Sequence, residues 1–134
     1  VASTKAFTSQ VIVLSLVAVW FAQMREIEEA KRKVLLECVH RVPTNIGMTI
    51  NRARPKCAAI ADKILKKEHM FVLGKGLGES VAREGALKIK EITYLHAEGY
   101  PGGALKHGPF ALIEEGTPII LIVLDDRDLH MMVT

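Results

Sequence analysis

Apolar residues run almost unbroken from Val11 to Phe21, VIVLSLVAVWF, between the polar flanks TSQ and AQMRE. With Ser3 or Thr4 available as a cap, this pattern predicts a helix reaching about Met24. The run is only about half of the roughly 20 residues a membrane span needs, so the prediction is a buried helix with protein on most sides. Arg25 to Cys38, REIEEAKRKVLLEC, mixes opposite charges at helical spacing and groups Val34, Leu35 and Leu36. A second, amphipathic helix is predicted there, broken at Pro43. A third helical stretch runs from Thr44 to Lys67, interrupted near Arg54-Pro55.

The period then changes. His69 to Gly74, HMFVLG, is a short β-rich apolar run closed by the glycine turn GKGLGES, and from Ser80 a helical pattern places Val81, Ala82, Ala86, Leu87 and Ile89 as apolar positions. Tyr94 to Ala97 reads as a second short strand, Gly99 to Gly108 as loop, and Pro109 to Ile113 as one helical turn. Pro118 to Leu124, PIILIVL, has the continuous apolar, β-branched character of a central parallel strand. Strand, helix, strand in this order predicts an α/β sandwich with a parallel sheet and right-handed crossovers. Another crossover helix is expected after the last strand.

Composition narrows the class without changing the architecture. The 134 residues are 49% hydrophobic, 25% charged and 5% aromatic, enough for a packed aliphatic core without disulfide or metal staples. A formal charge of +3, with basic residues spread out and without aromatic partners, argues against nucleic acid and for a small anionic ligand. Cys38 and Cys57 lack CxxC or Cys/His spacing, so they read as reduced, at least half-buried thiols of a cytoplasmic protein. His40, His69, His96 and His130 have no metal-ligand spacing, and no metal or organic cofactor is implied. No signal peptide is visible, and Val1 in place of Met implies processing or an excerpt of a longer chain.

Three groups carry candidate chemistry. GKGLGES, Gly74 to Ser80, is neither GxGxxG nor a Walker A loop; it is either a structural tight turn or a place where backbone meets a sugar or phosphate. Glu84, Lys88 and Glu91 stand at i, i+4 and i+7, on one helix face. Such a stripe is either a solvated salt-bridged surface or, beside the packed Ala82, Ala86, Leu87 and Ile89, a carboxylate whose basicity a lysine and desolvation tune. One glutamate suffices to remove a proton α to a carbonyl and return it to the next carbon. His107, between Lys106 and Gly108-Pro109 in a loop of small residues, is either an ordinary hydrogen-bonded histidine or a proton carrier near neutral pH.

Four stretches taken together add a resemblance. VASTKAFTSQ (Val1 to Gln10), FVLGKG (Phe71 to Gly76), EGALKIKE (Glu84 to Glu91) and HAEGYPGGALKHGPFALI (His96 to Ile113) resemble, in order and spacing, the isomerase part of the glutamine:fructose-6-phosphate aminotransferases, or glucosamine-6-phosphate synthases. That part contains two SIS (sugar isomerase) domains. The resemblance implies a three-layer sandwich with a parallel sheet flanked by helices, here incomplete and preceded by long helices. It assigns residues 1–24 to the end of the first SIS domain and 25–134 to the front and centre of the second. It implies Glu91 as the base moving a proton between C1 and C2, Lys88 beside the developing enediolate charge, and Glu84 in support. His107 is implied in ring opening at the neighbouring subunit's site, and Val1, Ala2 and Ser3 in sugar contact. Fructose 6-phosphate and glucosamine 6-phosphate, a glutaminase domain, a first SIS domain and a second copy are the implied partners. The family's GELKHGP reads GALKHGP here, with Ala104 in place of an acidic residue. The family's glutaminase domain, serine/threonine-rich phosphate loop and lysine-bearing C-terminal tail have no counterpart in the sequence, so the chain by itself is expected to be inactive or nearly so.

Overall fold

Residues 3–133 are described by a computed structural model. Its elements are α1 (Thr4–Met24), α2 (Glu29–Ile64), β1 (His69–Gly74), α3 (Leu77–Thr93), β2 (His96–Pro101), two 3-10 turns (Gly102–His107 and Pro109–Leu112), β3 (Ile119–Ile122) and α4 (Leu129–Val133). They fall into two compact units, one helical, from Ser3 to Ile60, and one α/β, from Ala61 onward.

In the helical unit α1 begins where expected, with Ser3 extended at its N-cap position but without a side-chain capping bond. The expectation of a buried helix is not met: Val19 is the only buried residue among those described in α1, and Leu14, Val17, Trp20 and Phe21 are exposed. At 21 residues the helix is long and apolar enough to cross a membrane, a test that core helices of soluble proteins also pass. The expected breaks at Pro43 and Arg54-Pro55 are absent, because α2 runs through both prolines. Each proline removes one backbone donor from the ladder. No described residue of α2 is buried, so the carbonyls left over can be hydrated. Val34, Leu35 and Leu36 are exposed, and so are the two free thiols, Cys38 and Cys57, which corrects the buried placement expected for them.

The α/β unit is a parallel three-stranded sheet of order β2-β1-β3 flanked by helices. β1 occupies the span expected for it, pairing Phe71 with Glu98 on one side and with Ile119 on the other. Its Met70 and Val72 join Ala97, Leu95, Ala82 and Ala86 in a core that Ile64, Ile89, Ile120 and Ile122 complete, which places α3 across that face of the sheet. On the other face Phe71 is fully buried, with its ring centroid 6.2 Å from those of His69 and Tyr100, and His69 Nε2 lies 3.0 Å from the Leu112 carbonyl.

Three boundaries differ from expectation, each for a local reason. α3 starts at Leu77 and not Ser80, because Gly76 at φ +57°, ψ −124° completes the turn in a conformation open to glycine. β2 starts at His96 because Tyr94 takes the left-handed conformation (φ 61°) as the C-cap of α3, its N–H bonded to the Lys90 carbonyl. It then runs to Pro101, and Gly102–His107 is a 3-10 turn where loop was expected. β3 is an edge among the described strands, not the centre: Ile120 and Ile122 pack toward α3, while Ile119 and Leu121 are exposed.

Candidate active site

Small residues let α3 lie close to the sheet. A Cβ on Gly99 of β2 would stand 2.5 Å from the Arg83 Cα, and one on Gly74 would collide with the Gly78 carbonyl, so both positions require glycine for contact between helix and strand. Ala82 and Ala86 take the sheet-facing positions. By helical phase, at about 100° per residue, Glu84, Lys88 and Glu91 stand on the side of the same helix opposite Ala82 and Ala86, with their side chains only partly exposed.

The structure brings these three residues together. Lys88 Nζ lies 2.6 Å from Glu91 Oε2 and 3.6 Å from Glu84 Oε1, with side chains 19%, 34% and 27% exposed for Lys88, Glu91 and Glu84 respectively. The hydrogen bond to Glu91 holds the lysine pKa above its ordinary 10.5; burial works against this, and the charges of Glu91 and Glu84 add to it. Lys88 is therefore a fixed cation at neutral pH. The arrangement sets one carboxylate, Glu91, against a cation that a second carboxylate steadies from one helical turn back. Chemically that is a base with a positive charge beside it, able to stabilise negative charge developing on a substrate next to the carboxylate.

His107 lies on a different element. It ends the Gly102–His107 turn, exposed, just before Gly108 at φ +147° and Pro109. No hydrogen bond or ion pair among the described residues joins it to the Glu84, Lys88 and Glu91 group. Ser3 lies in the helical unit, and Val1 and Ala2 lie outside the described residues. No group of His, Cys, Asp and Glu suited to a metal is present among the described residues.

Two features escaped the sequence reading. On β2, the Tyr100 hydroxyl donates to Glu98, which raises the phenol's pKa, and His96 Nε2 lies 3.4 Å from the same carboxylate. His96, Glu98 and Tyr100 alternate with a period of two, a signal present in the sequence but lost when the strand was ended at Ala97. At the carboxyl end of β1, Lys75 Nζ lies 3.4 Å from Asp128 Oδ1 and 2.7 Å from the Met131 sulfur. Nothing in the sequence links residues so far apart.

A parallel α/β domain whose charged strip lies on the helix following its central strand defines a class. The SIS domain family model matches residues 63–133, more than half of the chain, and the chain belongs to that family. Within it, the chain is 45% identical over 127 residues to the glutamine-fructose-6-phosphate aminotransferase (isomerizing) of Aquifex aeolicus, and 43% identical over 128 residues to that of Rhizobium meliloti. Each match covers 95% of this chain, which spans only about a fifth of those relatives, 20% and 21% of their lengths. Among solved structures, the C-terminal domain of glucosamine-fructose-6-phosphate aminotransferase from Francisella tularensis superposes with a TM-score of 0.91 at 37% identity, over 98% of this chain and 37% of that one. The three-stranded parallel sheet, its flanking helices and the long N-terminal helices have the fold of the matched part of that domain.

Proposed function

We propose that this chain is the proton-transfer part of an isomerase domain that makes glucosamine 6-phosphate from fructose 6-phosphate and glutamine. The observation that carries this reading is Lys88 Nζ held between Glu91, at 2.6 Å, and Glu84, at 3.6 Å, in a segment that matches the isomerizing aminotransferases. Glu91 takes the proton from C1 of the sugar phosphate and returns it to C2, and Lys88 stabilises the enediolate charge between the two transfers. Glu84 keeps Lys88 charged and in place. His107 assists ring opening at the site of a second copy. Val1, Ala2 and Ser3 contact the sugar. Two free thiols support a cytoplasmic setting.

A non-catalytic SIS module that binds sugar phosphate or serves dimerisation is the alternative, and the Lys88–Glu91 pair would then be a structural salt bridge. A chimera separates the two. Residues 3–133 replace the matching segment of the Aquifex aeolicus enzyme, and glucosamine 6-phosphate formation from fructose 6-phosphate and glutamine is measured. The proposal expects product at a rate comparable to the parent enzyme. A folded chimera that binds fructose 6-phosphate but forms no product would establish the binding module instead.

A further inference from the structure

The glycine turn between β1 and α3 looks, in sequence, like a place for a phosphate; in three dimensions a carboxylate already stands against it. Asp128 Oδ2 stands 2.7 Å from where a Cβ on Gly76 would be, so the carboxylate lies directly on the backbone of the turn. Its other oxygen faces Lys75 Nζ at 3.4 Å, and the side chain is only 17% exposed. Arg127 Nε also faces it, at 3.9 Å from Oδ2. The segment that brings Asp128 there is itself held. Asp126 accepts the Asp128 and Leu129 amides, through its side chain and its carbonyl, at 2.8 and 3.1 Å. Lys75 also reaches the Met131 sulfur, so α4 is fastened over the turn through the same ammonium.

The turn's own bonds leave little else for an anion. Gly78 and Glu79 donate their amides to the carbonyls of Lys75 and Gly76, and Glu79, in the first turn of α3, is paired with Arg83 at 2.9 Å. The Lys75 ammonium and the Gly76 backbone, which an incoming phosphate would meet, both face Asp128. We propose that Asp128 is a built-in anion that closes this glycine turn to phosphate, so that the domain's sugar phosphate is not held here. The repulsion is direct, since a phosphate dianion at contact distance from an ionised carboxylate is a like-charge pair with little water between them. This inference does not depend on the roles proposed for Glu91 and Lys88, and its test does not read activity.

The test is a phosphate titration of the whole chain, 15N-labelled, followed by NMR at ionic strength matched with chloride. In the native chain the amides of Lys75 to Glu79 are expected to stay put. The variants Asp128→Ala and Asp128→Ser both empty the space over Gly76, and the second keeps a helix-capping side chain ahead of α4. In whichever of them keeps the native amide dispersion, the same amides should shift saturably, with phosphate binding at least about tenfold tighter once the like charge is gone. Saturable shifts of equal size in the native chain would overturn the inference, as would variants no more responsive than the native chain.

Discussion

Lys88 is where the candidate site can be tested one residue at a time. Its ammonium is shared by two carboxylates from the same helix, and the nearer one, Glu91, sets most of its elevated pKa. Because the folded-state pKa lies above the ordinary 10.5, folding favours the protonated lysine. That contribution to stability is fully present below pH 10.5 and is lost as the pH rises through the folded-state value. Changing Glu91 to Gln is therefore expected to lower the Lys88 pKa, and Glu84→Gln to lower it less, as followed by the 13Cε chemical shift of Lys88 between pH 9 and 12, roughly the range in which lysine titrates. An unchanged midpoint in both variants would mean that the pair does not form in solution. At this scale the sequence reading went furthest. The spacing i, i+4, i+7 was enough to put the three side chains within reach of one another, whereas it could not say that Lys88 would be the least exposed of the three.

Elements were legible where a single rule governs them. The short continuous apolar run HMFVLG, closed by glycine, identified β1 to the residue, and the cap candidates and polar flanks of the apolar run from Val11 to Phe21 identified the ends of α1. Rules failed where two of them compete. Pro43 and Pro55 signalled breaks, yet an exposed helix tolerates the lost hydrogen bonds, and a positive φ at Tyr94, a residue type that rarely adopts it, delayed β2. The glycines of the α3 and β2 pair show how far element packing can be checked. A Cβ added to Gly85, inside α3, would meet nothing within 4 Å, so Gly85→Ala should raise stability by about 1 kcal/mol through helix propensity alone. Gly99→Ala forces a Cβ to within 2.5 Å of the Arg83 Cα and should lower stability by about 1–3 kcal/mol, as overpacking does. Urea denaturation of the two variants gives both signs at once. Equal effects would show that α3 does not lie on β2 as closely as described.

The whole molecule is where sequence reading gave least and resemblance gave most. Periodicity led to an α/β sandwich with a central PIILIVL strand, but Ile119 and Leu121 of that strand are exposed, and so is much of α1. A sequence pattern records which residues favour burial; it does not say which element covers them. His107 illustrates the same limit, since its chemistry was readable from residue type while its place at the exposed end of a 3-10 turn was visible only in the fold. The proposed function requires Glu91 to move a proton between adjacent carbons of a sugar phosphate. The direct measurement is deuterium incorporation from D2O at C1 of fructose 6-phosphate, followed by NMR, with the chimera that carries residues 3–133 and with its Glu91→Gln variant. Exchange by the chimera that falls by about 10²- to 10⁴-fold in the variant, with fructose 6-phosphate still bound, is the expected result for loss of a general base. Exchange at an undiminished rate in Glu91→Gln would contradict it and leave Glu91 as no more than the salt-bridge partner of Lys88.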